Sequence, residues 1–137
     1  MTGSPATYYA LRLKPGQDLK IELLAFAETH QLKAAFVATC NGSLQQASLR
    51  FADCQEGMLL DNKFEIVSLV GTIGNGAAHL HMSIADSDGQ VTGGHLLNGN
   101  LIYTTAEIVI GEITSLNFAR RQDAQTGYNE LLIEPRN

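Results

Sequence analysis

Only one stretch of this sequence spaces its apolar residues for a helix. Leu19, Leu23, Phe26 and Ala27 recur along one stripe between Asp18, a residue type that caps helix N-termini, and His30. The remaining apolar residues come in short runs bounded by Gly, Pro, Asn and Asp: Tyr8–Leu13, Ala34–Cys40, Leu44–Phe51, Phe64–Ile73, His79–Ala85, Val91–Leu97, Leu101–Ile110 and Tyr128–Ile133. One helix against eight β-runs predicts an α+β fold, a mostly antiparallel β-sheet with one main helix packed on it. The last three runs before Ile110 read as a meander. Phe64–Ile73 is apolar on both faces, as a central strand would be. His30 sits at the helix C-terminus, where its charged form favours the dipole, and reads as structural.

A chain of 137 residues with 45 % hydrophobic and 17 % charged residues suits one globular domain. We place it at residues 8–137, behind a flexible N-terminal tail over 1–7, and read Arg120–Thr126 as a second mobile segment. Fourteen acidic residues against nine Lys and Arg give a formal charge of −5. That sign argues against a broad phosphate-neutralising surface for nucleic acid. Cys40 and Cys54 form no CxxC and read as small apolar core residues in a reducing compartment. No secretory leader is visible, and no apolar run approaches the ~20 residues of a membrane span. The expected setting is cytoplasmic, with no membrane partner.

Three of the four histidines, His79, His81 and His95, fall within one short stretch. Strand residues two apart point the same way, so His79, His81 and Ser83 share one face and Leu80, Met82 and Ile84 the other. Where His95 points depends on the turn between the two strands. A two-residue turn at Asp88-Gly89 would set His95 opposite Met82, on the wrong face. A three-residue turn, Ser87-Asp88-Gly89, pairs Asp86 with Gln90 and sets His95 opposite His81, with Gly89 in the left-handed region. Cross-strand neighbours ~5 Å apart at Cβ can share one ion. Three histidines also leave a fourth position open for water, a substrate group or a carboxylate. Asp86 and Glu107 are the nearest acidic candidates, Glu107 sharing a strand face with Tyr103 and Thr105. Gly93-Gly94 removes bulk beside His95, or marks a bulge or a tight backbone contact. The spacing alone fits either a metal site or ordinary hydrogen-bonded side chains.

Four ordered motifs carry a family resemblance. They are Leu13-Lys-Pro15-Gly16-Gln-Asp18-Leu19, then Asn41-Gly42-Ser43 with Ser48-Leu49-Arg50, then Phe64-Glu65-Ile66-Val67-Ser68-Leu69, and the run from His79 through Gly93-Gly94-His95. With Tyr103-Thr104-Thr105-Ala106-Glu107-Ile108, they resemble the bacterial and archaeal form of the PPC domain, shared by plants and prokaryotes, over roughly Tyr8 to Glu112. The resemblance implies a single domain on an antiparallel sheet, assembled as a homotrimer. It also implies a divalent metal, zinc in type, held by His79, His81 and His95. In plants the domain follows an AT-hook, an Arg-Gly-Arg-Pro core for the minor groove, and this chain contains no such core.

Three functional readings result. The first is a trimeric metal-binding module with a regulatory or protein-interaction role. The second is a DNA-binding transcriptional regulator, which would need Arg50, Arg120 and Arg121 to cluster across subunits. The third is a zinc-dependent enzyme acting on a small substrate, with Glu107 or Asp86 as proton acceptor. Arg50 reads as a substrate clamp or as an ion pair with Glu65 or Asp53. Asn41-Gly42-Ser43 carries a turn or bulge signature, and reads as pocket lining or as a strained turn.

Overall fold

A computed structural model describes residues 3–137. Its helix, α1 (Leu19–Thr29), begins where expected. The Asp18 carboxylate accepts from the backbone N–H of Lys20 and Ile21, and also from Gly99 at 2.6 Å, so the cap ties the helix to a distant loop. Leu19, Leu23 and Ala27 are buried against the sheet. The helix ends at His30, whose ring stacks on Phe26 at 4.0 Å between centroids and contacts Tyr9.

Nine strands are present among the described residues: β1 (Ala6–Leu13), β2 (Ala35–Arg50), β3 (Met58–Leu60), β4 (Phe64–Gly74), β5 (Ala77–Ala85), β6 (Val91–Leu96), β7 (Leu101–Ile113), β8 (Leu116–Gln122) and β9 (Asn129–Pro135). Seven make one antiparallel sheet in the order β1-β7-β2-β4-β5-β6, with β3 beside β2. β6 also returns to the far end of β2, pairing Leu49 with Leu96 and Arg50 with His95. The strands β2, β4, β5 and β6 therefore close into a ring. The core fills its interior, with Leu44, Leu49, Leu80, Ile84, Leu96, Ile102 and Ile110 almost wholly buried.

Several details differ from the sequence reading. β1 starts at Ala6, within the tail expected over 1–7; the first two residues of that tail lie outside the described residues. Of the readings of Asn41-Gly42-Ser43 the structure has the bulge, inside one long strand, because β2 continues through a register shift against β7. The meander stops at β6. Residues 97–100 turn a corner around buried Asn100, whose side chain bonds Ser48 N–H at 2.8 Å and the Ser48 and Leu97 carbonyls. β7 then inserts between β1 and β2. β4 buries only one face, since Val67 and Val70 on its outer side are more than half exposed.

Arg120 lies in β8 and not in a mobile segment. β8 and β9 form a separate two-stranded ribbon, which Phe118 N–H fastens to the Lys33 carbonyl. The Arg136 guanidinium fastens it again through buried Glu112, at 2.6 Å. Cys40 is buried, and burial pushes its thiol up to about 12, but Cys54 is exposed in the loop after β2. Among the described residues no helix is long and apolar enough to cross a membrane.

Candidate metal centre

The hairpin between β5 and β6 decides the site. Its turn has three residues: Gly89 N–H donates to the Asp86 carbonyl at 3.0 Å, Asp86 N–H donates to the Gln90 carbonyl, and Gly89 has φ 76°. Counting outward from that turn brings His81 opposite His95, and Met82 opposite Gly94. The apolar residues Leu80, Met82 and Ile84 go into the core, while the imidazoles go outward. Gly94 is needed for closeness, since a Cβ there would stand 2.6 Å from the Arg50 carbonyl. The glycine pair therefore lets β6 lie against β2 as well as β5.

His79, His81 and His95 converge, each offering a ring nitrogen within 4.8 Å of the others. The Nε2 atoms of His79 and His81 are 3.2 Å apart, and the ring centroids are 4.9, 5.4 and 5.7 Å apart. Two nitrogens on one tetrahedral zinc at ~2.05 Å would be separated by about 3.3 Å. One pair already has that spacing, and rotamer adjustment of the exposed rings closes the rest. Three imidazoles with an open fourth direction suit a borderline ion of the zinc type.

The surroundings favour the neutral form of His79 and His95. Burial first, then the Arg50 guanidinium and the other two histidines, lower His95 to about 4. Burial first, then His81 and Arg120, lower His79, with Glu130 opposing. Neutral imidazole is the form that binds metal.

The accessory residues fare differently. Arg50 stands directly across from His95 at the end of β2. It makes no ion pair with Glu65 or Asp53; among the described residues the one salt bridge is Arg136–Glu112. Asp86 is engaged in the turn, its Oδ1 accepting from Asp88 and Gln90 N–H at 2.9 Å each, and it does not join the three histidines. Glu107 lies on β7 opposite Asn41 and Arg12 and does not join the histidines, because β7 leaves β6 at the 97–100 corner.

Sequence reasoning named Arg120 only for a DNA-binding patch and did not place it beside the histidines. It reaches from the ribbon to the Thr72 hydroxyl at 3.2 Å, and Thr72 pairs with His79. The only local signal was the Arg120-Arg121 pair, which sat in a segment without visible strand pattern.

The chain matches the Plants and Prokaryotes Conserved (PCC) domain over residues 1–114. It belongs to that family. The PCC domain is the one abbreviated PPC above. Among solved structures, a hypothetical protein from Salmonella enterica is 43 % identical, with 99 % of each chain covered and a TM-score of 0.97. The metal-containing protein AF0104 from Archaeoglobus fulgidus is 25 % identical, covering 96 % of this chain and 99 % of that one, with a TM-score of 0.81. Among curated relatives, a bifunctional protein GlmU of Synechococcus is 51 % identical over 92 % of this chain. AT-hook motif nuclear-localized protein 8 of Arabidopsis thaliana is 21 % identical over 90 % of it. The chain spans about a fifth and about a third of the length of those two relatives.

Proposed function

We propose that this PCC-domain chain is a metal-binding module that assembles as a homotrimer and serves a regulatory or protein-interaction role. The observation that carries the metal reading is the convergence of three outward-facing imidazoles that the fold itself does not use. Their neighbours on β5 fill the core, so the histidines are free to serve a ligand. The metal-containing relative from Archaeoglobus supports the same reading. A module role fits a domain that also occurs as about a fifth of a larger bifunctional protein.

Self-assembly is supported by the outer face of β4. Val67 and Val70 are 55 % and 57 % exposed there, and Val70 stands across from His81. Exposed apolar residues on a sheet face mark a contact surface. A DNA-binding role has less behind it, since the charge of −5 opposes phosphate contact and Arg121 stands opposite Glu130 on the ribbon.

The test is metal analysis of protein purified without chelator, beside His81→Ala. One equivalent of divalent metal per chain is expected, lost in the variant while its circular dichroism is retained. Equally low metal in both would overturn the metal reading. Sedimentation equilibrium tests the assembly separately, with three chains expected and a monomer refuting it.

A further inference from the structure

We infer that the histidine centre is completed by a small oxyanion, the carboxylate or phosphate group of a ligand, and that Arg50 binds this anion from the β2 side. The inference deepens the metal reading above and rests on it.

Charge balance leads there. An imidazole that ligates a metal carries no charge, and among the described residues no carboxylate joins this group, so a divalent ion bound by it keeps both its charges. The neighbouring charged groups make this worse. Arg50 is the register partner of His95 and shares its face of the sheet. On the opposite flank Arg120 reaches Thr72, the register partner of His79, and its bond goes to a hydroxyl rather than to an acid. Lys20 adds a third cation that bears on His95. Glu130 is the acidic group that bears on His79, and its carboxylate already accepts from the Thr126 hydroxyl.

A half-buried guanidinium without an ion pair, next to a site built for a cation, destabilises that cation unless an anion lies between them. The open fourth position is where such an anion reaches the metal. Arg50 offers a planar fork of donors suited to two oxygens of one carboxylate or phosphate. Asp86 and Glu107 do not join the histidine group, Asp86 being engaged in the turn and Glu107 lying on β7, which does not pair with β5 or β6. The anion therefore comes from outside the chain.

The experiment uses the full chain loaded with cobalt(II), whose visible spectrum reports its ligands. Inorganic phosphate and acetate are titrated in separately at constant ionic strength. A saturable spectral change is expected with at least one of them, and the stronger responder identifies the group. Arg50→Met, which keeps the apolar stem, should take up cobalt at least as well and lose anion affinity by tenfold or more. Arg50→Lys should fall between the two.

A wild-type spectrum unmoved by anion up to about 10 mM, a weak affinity by any standard, overturns the inference while leaving the metal reading intact. Unchanged anion affinity in Arg50→Met does the same. Failure to take up cobalt at all overturns both.

Discussion

His95 shows how much one side chain is governed by its neighbours. Held near 4 against an ordinary 6.5, it stays neutral in the folded chain well below neutrality. Above pH 6.5 both folded and unfolded forms are neutral and the residue contributes no pH dependence. As the pH falls from about 6.5 toward 4, the unfolded chain takes up the proton first, so metal-free protein loses stability across that window. His79 acts in the same direction. Denaturant midpoints of metal-free protein should fall over this interval, and less steeply in His95→Gln. A midpoint flat from pH 7 to 4 would contradict the placement of the ring. The identity of these histidines was legible because alternation alone puts His79 and His81 on one face. The fate of Arg50 was not: it depends on β6 reaching the end of β2, a long-range pairing that no local pattern records. Asp86 is a different case. Its local turn chemistry was visible in the sequence, and that chemistry engages one carboxylate oxygen in the turn, away from the three-histidine group.

At the level of elements, the three-residue turn is the part of the site that sequence described best. Asp-x-Asp-Gly bounded by alternating residues admits two registers, and only one keeps Leu80, Met82 and Ile84 inside while aligning His95 with His81. Shortening the turn by deleting Asp88 should therefore swing His95 toward the Met82 side. The expected outcome is loss of bound metal with sheet content kept by circular dichroism; metal retained at full stoichiometry would refute the register argument. The helix was equally legible, since its stripe and its Asp18 cap agree. The strands that escaped notice have weak patterns for physical reasons. β3 is three residues long and β8 packs by one buried residue, Phe118, while its ribbon partner β9 is mostly exposed. Such strands hold by docking, not by alternation. The corner at residues 97–100 escaped because it is organised by buried Asn100, a polar residue satisfied through three hydrogen bonds to a strand and loop backbone.

Across the whole molecule, the centre lies on the seam where the sheet closes on itself. His79 and His81 belong to one side of it, His95 to the strand that spans it, and Arg50 to the strand it rejoins. The closure is short, two residue pairs wide, and reinforced by Leu97 N–H to the Ser48 carbonyl at 3.2 Å and by Asn100. Opening that seam parts Arg50 from His95, while the β5–β6 hairpin keeps the three histidines together. An anion held between a bound ion and Arg50, as proposed above, would be released as β6 breathes away from β2, at a rate set by local unfolding. Release of bound phosphate from the metal-loaded chain should then follow the amide exchange of Leu96 and Leu97, and Asn100→Ala, which removes three backbone-anchoring bonds, should speed both together by about tenfold or more. Release that stays slow while those amides exchange freely would separate the two processes. How long such an anion stays would then be a property of how the sheet closes on itself.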